Sequence, residues 1–361
     1  MAAARLDALI LTTEADVRWF SGFLTPFWQS PTRPWFLVVP ASGKPVAVIP
    51  EIGRAAMART WLDDIRTWAS PHPKDDGISL LADTLTGLAG ASGRIGLPMG
   101  RETHLRMPLA DFGRLQRALP NARYADCTAL LRGLRMRKSQ REIEKIRHAC
   151  QLAGQAFKRV PDIVHAGMPE TEVFRAFRIA CLEAGVDDVA YLVGGAGPGG
   201  YGDIISPPSS RPLADGDVLI LDTGCTVDGY FCDFDRNYAV GSVVPEVHEA
   251  HAIVWESTEA GLAAAKPGAT AADVYHAMAD HMPGTGSVGR LGHGLGMQLT
   301  EPPSLVPFDE TVLEPGMVIT LEPGYDFAPG RAMVHEEVVV LGEDGAELLT
   351  PRAPRTLPVI G

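Results

Sequence analysis

Residues 222–233 read Asp-Thr-Gly-Cys-Thr-Val-Asp-Gly-Tyr-Phe-Cys-Asp and set two aspartates on either side of a turn. The first follows the apolar run Val218–Leu221, which predicts a buried strand. Asp228-Gly229 is a strong hairpin signal, and a second strand is predicted from Tyr230 to Tyr238. We therefore expect the two terminal carboxylates to meet on neighbouring strands.

Three further residues share this setting at the polar end of a buried element. His293 lies in Gly-His-Gly-Leu-Gly, where glycines allow a close approach to the ring. Glu322 closes an apolar strand that starts at Met317, and Glu336 opens another that ends at Leu341. Each alone is typical of a turn or a solvated strand end. With Asp222 and Asp233 they form a set of four carboxylates, which are hard oxygen donors, and one imidazole, which predicts a pair of divalent ions.

These stretches carry a resemblance to a known family. They are Leu219-Ile-Leu-Asp-Thr-Gly224, Gly229-Tyr-Phe-Cys-Asp-Phe-Asp-Arg236, Gly292-His-Gly-Leu-Gly296, Gly316-Met-Val-Ile-Thr-Leu-Glu-Pro-Gly324 and His335-Glu-Glu-Val-Val-Val340. Their order resembles that of the creatinase/aminopeptidase P/prolidase family. Weaker similarity near Asp7, Gly22 and Ser139 extends the resemblance over nearly the whole chain. It implies an α/β (α+β) fold, with a small creatinase-like α/β domain at 1–130 and a pita-bread catalytic domain at 131–361.

The resemblance also implies roles for the five residues. Asp222 would bind one metal, Asp233 and Glu336 would bridge two, and His293 and Glu322 would complete the set, with Glu322 also the general base. Two divalent ions lower the pKa of a shared water and polarise a carbonyl, so amide hydrolysis is the expected chemistry. Such ligands admit manganese, cobalt, iron or zinc, and manganese is the expected ion.

Three positions depart from the family's peptidases. Two histidines that engage the substrate and the tetrahedral intermediate there are replaced here by Ile205 and Thr300. Losing such a donor commonly costs a few kcal/mol of transition-state stabilisation. Asp235 stands where the peptidases usually have threonine, and strand alternation points it the same way as Asp233. Thr300 and Asp235 are candidate catalytic residues; Asp235 could be an extra ligand, a proton acceptor, a hook for a cationic substrate or a partner of Arg236.

Candidate substrate contacts come from two places. In the family the N-terminal domain commonly reaches over the active site of the other subunit, which implies a homodimer. Arg33 could then grip a carboxylate and Trp35 a cation or apolar group, although packing in the core and turn is also open for both. Tyr230, on the second strand of the hairpin, is the third candidate.

Bulk properties narrow the partners and the location. A formal net charge of −12 and a pI near 5.3 argue against nucleic acid or an anionic membrane as the main partner. No apolar run has the length of a signal peptide or a membrane span, so the expected location is the cytoplasm. Five cysteines without a CxxC pair predict reduced core thiols.

Patterning also predicts secondary structure. In the N-terminal domain we expect strands at Leu6–Leu11, Trp35–Val39 and Pro45–Ile49, and helices at Glu51–Trp61 and Gly77–Leu88. In the catalytic domain we expect helices from a capping box at Ser139, from Pro169 to Gly185, from Glu246 to Ala265 and from Thr270 to Met282. The basic cluster Arg132–Lys145 reads as a solvated helix face, with a linker at 132–140, and the glycine-rich stretch 194–203 as a flexible loop beside the active site.

Three functions follow from these observations. The first is a metal-dependent hydrolase of the Xaa-Pro dipeptidase or aminopeptidase type, acting on small peptides. The second is a family member that acts on a small amide or amidine, as creatinase does, or a lyase, because two histidines are missing. The third is a binding protein that keeps the fold without catalysis, which the complete ligand set argues against.

Overall fold

The computed structural model describes residues 1–29, 33–283 and 289–361. These form two compact units, Met1–Leu134 and Arg135–Gly361. The domain boundary expected after residue 130 stays a prediction. Among the described residues, no helix combines the length and apolar character that a bilayer crossing requires.

The first unit is an α/β layer structure. Its elements are β1 (Ala8–Leu11), α1 (Glu14–Ser21), β2 (Phe36–Pro40), β3 (Val46–Pro50), α2 (Arg54–Met57), β4 (Ile65–Trp68), α3 (Ile78–Ala89), β5 (Arg94–Leu97), α4 (Leu109–Ala118), β6 (Arg123–Asp126) and α5 (Thr128–Met136), the last of which runs into the second unit. The strands form one sheet in the order β4-β3-β2-β1-β5-β6. Hydrophobic clusters cover both of its faces, so its central strands β1, β2 and β3 read as continuous apolar runs.

The three strands predicted for this unit form as β1, β2 and β3, and the predicted helix near residue 78 forms as α3, all within two residues of the predicted bounds. The helix predicted at Glu51–Trp61 is wrong in length, because only a short 3-10 turn and α2 form there. The chain leaves the helix before Thr60, whose hydroxyl donates to the carbonyl oxygen of Met57 at 2.8 Å. Such a local side-chain bond competes with continuation of the helix.

The second unit combines four helices with three sheets in the described part of the chain. Its elements are α6 (Gln140–Ile163), α7 (Glu170–Ala184), β7 (Asp188–Pro198), β8 (Asp217–Val227), β9 (Tyr230–Phe231), β10 (Phe234–Val240), α8 (Pro245–Ala264), α9 (Ala271–Ala279), β11 (His293–Gly294), β12 (Glu301–Ser304), β13 (Val318–Leu321), β14 (Gly324–Ala328), β15 (Arg331–Val334), β16 (Glu337–Leu341), β17 (Ala346–Leu348) and β18 (Val359–Ile360). One sheet runs β18-β10-β8-β7 with β9 paired to β8, the next runs β12-β11-β13-β16-β17, and β14 pairs with β15.

Helix α6 begins as predicted. Ser139 and Glu142 form a reciprocal capping box, in which each side chain accepts from the other residue's backbone N–H. The predicted apolar stripe is buried at Ile143, Ile146, Cys150, Ala153, Phe157 and Val160.

Two other helices differ slightly from their predicted bounds. Pro169 is the N-cap of α7 rather than a first-turn residue, and α9 ends three residues before Met282.

The strands that carry the hairpin differ from the expectation. Strand β8 continues to Val227, so Asp222 lies inside a strand rather than at its end. The second predicted strand is divided into β9 and β10, with Cys232 and Asp233 between them. All five cysteines are buried and unpaired, as the odd count predicted.

The glycine-rich stretch is partly strand rather than a flexible loop. Residues 194–198 belong to β7 and pair in register with β8. A Cβ atom on Gly194 would lie 2.2 Å from the carbonyl oxygen of Ile220, and one on Gly197 would lie 2.3 Å from that of Gly200. The glycines are therefore required by close backbone packing.

The basic cluster is not a solvated face throughout. Arg135 and Lys138 are buried, and both pair with the buried carboxylate of Glu301. Part of the predicted linker is also helical, since α5 extends to Met136. The expectation was wrong because the partner of these cations lies more than 160 residues further along the chain.

Candidate metal centre

The two larger sheets of the second unit supply the five residues predicted to bind metal, which we call the five-residue cluster. Asp222 lies in β8 and Asp233 directly before β10. His293 begins β11, Glu322 follows β13 and Glu336 precedes β16. Four of the five positions are strand ends or junctions, where a side chain can leave the apolar layer without breaking a ladder.

Three of these residues meet closely enough to hold one ion. Ligand atoms of Asp233, His293 and Glu336 lie within 4.8 Å of one another, and all three residues are buried. The Nε2 atom of His293 is 3.4 Å from an oxygen of Asp233 and 3.9 Å from an oxygen of Glu322. The Glu322 side chain is 32% exposed, so it is reachable from solvent.

The backbone around His293 fixes its ring. Its Nδ1 atom lies 2.9 Å from the carbonyl oxygen of Gly294, which holds a proton on Nδ1 and leaves the Nε2 lone pair facing the carboxylates. A Cβ atom on Gly292 would lie 2.3 Å from the carbonyl oxygen of Thr320, and one on Gly294 2.2 Å from that of Pro302. The Gly-His-Gly signal in the sequence thus reports close strand packing on both sides of a ligand.

The carboxylates of the cluster are poorly neutralised by protein. Among the described residues, Asp222 Oδ1 and Glu336 Oε1 are buried without a hydrogen-bond partner. Burial, followed by the charge of Glu322, raises the pKa of Asp222 to about 8. Burial and neighbouring carboxylates hold the pKa values of Asp233 and Glu336 well above their usual range. Unpartnered carboxylate oxygens around one imidazole are a donor set that fits two divalent cations.

The pKa of Glu322 is raised less than that of Asp222. Burial and the charge of Asp235 raise its pKa to about 7, while the charge of Arg290 opposes them. A carboxylate that is partly exposed and close to His293 Nε2 can exchange a proton with a bound molecule.

A buried ion pair between Arg236 and Glu337 fixes the backbone next to the five-residue cluster. The guanidinium of Arg236 donates to the carbonyl oxygen of Glu336 at 3.0 Å and to that of Asp235 at 2.6 Å. It also pairs with Glu337 at 3.0 Å. Sequence reasoning found Arg236 but missed Glu337; the tandem Glu336-Glu337 at the start of a strand is the signal, because alternation sends the two side chains to opposite faces.

The three departures from the family's peptidases lie in different environments. Ile205 is 77% exposed, and Thr300 is exposed directly before Glu301. Asp235 is buried and lies opposite Asp222 in the β8–β10 ladder. Neither Ile205 nor Thr300 carries a group that could take the place of an imidazolium.

The predicted substrate contacts have unequal support. Trp35 is buried in the core of the first unit, with ring centroids 5.2 Å from Phe23 and 5.9 Å from Trp28. Contact with a substrate is incompatible with this position, and a core role replaces the expectation. Arg33 stays a candidate, because its Nε atom has no hydrogen-bond partner among the described residues.

Tyr230 is held by helix α6 rather than presented to a ligand. Its hydroxyl donates to Glu142 at 3.1 Å, and the ammonium of Lys145 lies 5.1 Å from its ring centroid. The buried ring belongs to the hydrophobic core of the second unit. The group that would have bound a substrate is therefore already engaged, and the predicted contact gives way to a structural one.

Comparisons with known proteins agree with this geometry. Residues 144–343 match the metallopeptidase family M24, and residues 1–137 match the creatinase/prolidase N-terminal domain. A probable dipeptidase PepE of Mycobacterium bovis is 31% identical over 356 residues, covering 96% of this chain and 90% of the relative. The crystal structure of dipeptidase PepE from Mycobacterium ulcerans is 30% identical with a TM-score of 0.85, covering 99% of this chain and 94% of the other.

An X-Pro aminopeptidase from Thermotoga maritima, also solved as a crystal structure, is 25% identical with a TM-score of 0.83 and covers 98% of both chains. The match to the family spans more than half of this chain and includes the whole five-residue cluster. The chain therefore belongs to metallopeptidase family M24, and is a metal-dependent peptidase with a creatinase-like N-terminal domain and a pita-bread catalytic domain.

Proposed function

We propose that this peptidase cleaves the amide bond before proline in dipeptides and short peptides, with two divalent ions held by the five-residue cluster. The observation that carries the proposal is the convergence of Asp233, His293 and Glu336 beside buried carboxylate oxygens that have no hydrogen-bond partner in the described part of the chain. The printed names of the similar proteins, a dipeptidase and an X-Pro aminopeptidase, support the substrate class. We propose manganese as the ion, with cobalt, zinc or iron as substitutes.

Each residue has a part in the proposed reaction. Asp233 and Glu336 would bridge the two ions, Asp222 would bind one, and His293 would bind through Nε2. Ions held there lower the pKa of a shared water and polarise the scissile carbonyl. Glu322 would accept the proton of the attacking water and pass it to the leaving amine, because it combines partial exposure with a position 3.9 Å from the imidazole.

A second candidate function rests on the two replaced histidines. Ile205 and Thr300 offer no imidazole to a peptide or to the charge that develops during its cleavage. A small amide or amidine substrate of the kind creatinase uses, or a lyase reaction, would depend less on those donors. Thr300 could still donate through its hydroxyl, which makes it a proposed catalytic residue under either function.

One activity screen separates these functions. Metal-loaded protein is assayed against Xaa-Pro dipeptides, longer Xaa-Pro peptides and creatine-like compounds, with Asp233→Ala as the matched inactive variant. We expect turnover of Xaa-Pro dipeptides that is lost in Asp233→Ala. Turnover of creatine-like compounds alone would favour the second function, and peptide turnover that survives the substitution would refute the metal centre.

Metal analysis tests whether the chain is an enzyme of this kind at all. We expect protein purified without chelator to contain up to two divalent ions per chain. Protein that contains no ion, and that manganese, cobalt, zinc and iron all fail to activate, would be a binding protein that keeps the fold.

We further propose a cytoplasmic homodimer in which the N-terminal domain of one subunit contributes Arg33 to the active site of the other. The support is the family resemblance together with the Nε atom of Arg33, for which residues 1–29, 33–283 and 289–361 supply no hydrogen-bond partner. Light scattering should give twice the chain mass of 38.6 kDa. Arg33→Ala should raise KM for a substrate with a free carboxylate more than it lowers kcat, because a guanidinium–carboxylate contact mainly serves binding.

A further inference from the structure

Asp235 lies directly opposite Asp222 on the neighbouring strand. The β8–β10 ladder pairs these two residues, and the same register continues to Ala239 opposite Val218. Facing residues of an antiparallel pair send their side chains to the same side of the sheet, with Cβ atoms about 4.5–5.5 Å apart. Two aspartates of unlike sequence context are thus brought side by side by strand register alone.

The carboxylate of Asp235 is buried but only half satisfied. The residue is 1% exposed, and its Oδ1 atom accepts a long hydrogen bond of 3.3 Å from the backbone N–H of Glu336. Its Oδ2 atom is buried with no partner among the described residues. Asp222 Oδ1 and Glu336 Oε1 are also buried without a partner among the described residues. Asp235 is linked to both residues, to Asp222 by strand pairing and to Glu336 by the hydrogen bond from its backbone N–H.

Arg236 does not satisfy the Asp235 carboxylate, although it is the next residue. Its guanidinium bonds the carbonyl oxygen of Asp235, the carbonyl oxygens of Glu336 and Pro351, and the carboxylate of Glu337. This arrangement fixes the backbone and leaves the Asp235 side chain on the side of Asp222.

We propose that Asp235 is a sixth protein ligand of the metal pair, binding the ion that Asp222 holds rather than the ion next to His293. The inference rests on the proposed two-ion function. It gives the Asp222 ion oxygen donors alone, from Asp222, Asp235 and the bridging carboxylates. Such a position prefers a hard ion such as Mn²⁺ over a softer one, whereas the position beside the imidazole accepts either.

The test compares metal binding by the wild type and Asp235→Asn. Asparagine has nearly the same shape as a protonated aspartic acid but binds a cation weakly, so it separates a ligand from a buried neutral acid. Metal-free proteins are titrated with Mn²⁺ in a calorimeter, and the bound ions are followed by electron paramagnetic resonance. We expect two ions in the wild type, and in Asp235→Asn one retained ion with the other weakened at least about 10-fold.

Asp217→Asn is the matched control. Asp217 is equally buried in β8, but its oxygens are satisfied by Arg211 at 2.7 Å and by the N–H of Ala214 at 2.8 Å. This variant should bind both ions with wild-type affinity. Asp235→Thr supplies a second replacement with a smaller neutral side chain; it should weaken the same ion, by no more than Asp235→Asn does, because the family's peptidases usually have threonine at this position.

The outcomes distinguish this inference from the proposed function. Equal binding of two ions by the wild type, Asp235→Asn and Asp235→Thr would overturn the ligand role and leave the two-ion peptidase intact. Failure of the wild type to bind any divalent ion would overturn both. Loss of the spin-coupled Mn²⁺ signal in Asp235→Asn, with a single-ion signal retained, would establish Asp235 as a ligand.

Discussion

Two buried groups of charged side chains in the second unit differ in how their carboxylates are balanced. Glu301 accepts from the Arg135 guanidinium and from the N–H of Gln298 at 3.0 Å, and it lies 3.5 Å from the ammonium of Lys138. The two cations and these bonds hold its pKa below the usual range despite full burial. The five-residue cluster has the opposite character, since the pKa values of its carboxylates are raised.

The contrast distinguishes a structural charge cluster from a functional one. Burial penalises ionisation in both places; protein cations outweigh the penalty at Glu301, whereas the charge of Arg290 only reduces it at Glu322. The carboxylates of the five-residue cluster are assembled at a cost that bound divalent ions would remove. Removal of one carboxylate should therefore have opposite effects on stability at the two sites.

The largest effect is expected from Glu336→Gln in the five-residue cluster. The substitution keeps the size of the side chain but removes a bridging charge, so binding of the pair and activation of water should both fail. We expect kcat/KM for an Xaa-Pro dipeptide to fall by about 10³-fold or more, roughly 4 kcal/mol. Activity within tenfold of the wild type under saturating Mn²⁺ would contradict the bridging role.

The next effect is expected from Glu301→Gln at the other cluster. An amide cannot balance the charges of Arg135 and Lys138, which would stay buried without a counter-charge. We expect the free energy of unfolding to fall by about 3–5 kcal/mol in urea denaturation.

Glu314→Gln is the matched control for Glu301→Gln. Glu314 pairs with Arg137 at 2.7 Å, but both side chains are about half exposed. Loss of such a surface pair should cost less than about 1 kcal/mol. If both substitutions lowered the free energy of unfolding equally, burial of the ion pair would not explain the effect of Glu301→Gln.

The sequence predicted one side of this comparison and missed the other. The five predicted positions could be singled out because each lies in or at the end of an apolar element, often beside glycine, and the structure brings Asp233, His293 and Glu336 together. The Glu301 cluster could not, because a basic helix segment has the same local pattern whether its cations face water or a distant carboxylate. Only the fold brings Lys138 and Glu301 together.

The sheet register shows the same limit at closer range. Alternation predicted that Asp235 and Asp233 point the same way, but a break in the strand at Cys232 and Asp233 lies outside any period-two pattern. Which residue faces Asp222 depends on how the strands pair, and the ladder gives Asp235. Likewise, apolar periodicity in the segment that holds Trp35 could not separate a core tryptophan from an exposed one.

A third effect is a pH dependence of the metal-free protein. The folded-state pKa of Asp222 is raised to about 8 and that of Glu322 to about 7, above their unfolded values near 4. Between about pH 4 and pH 8 the folded state therefore binds more protons than the unfolded state, so stability falls as pH rises. We expect the free energy of unfolding to drop by several kcal/mol from pH 5 to pH 8 in chelator, because one pKa held near 8 alone contributes about 3–4 kcal/mol over that range.

Added Mn²⁺ should reverse that trend. Ion binding requires deprotonated ligands, so the stabilisation by metal should grow with pH over the same range. In Glu336→Gln the metal-free slope should be shallower, because one of the repelling charges is gone. Denaturation at pH 5, 6, 7 and 8 with and without chelator measures both slopes, and a metal-free protein that becomes more stable toward pH 8 would contradict the raised pKa values.

The smallest effect is expected at the exposed edge of the Glu301 cluster, where Thr300 precedes Glu301. The carboxylate of Glu301 is fixed by Arg135 and Lys138, so the adjacent backbone is held firmly enough to present a new side chain. Thr300→His would restore a donor that the family's peptidases use, and we expect kcat/KM for Xaa-Pro dipeptides to rise about tenfold, or 1.4 kcal/mol. Thr300→Gln, which is polar but cannot become cationic, should gain less. A fall in peptide turnover with Thr300→His, together with unchanged metal content, would contradict this expectation. It would show that the site binds a different substrate, with which an imidazole at position 300 clashes.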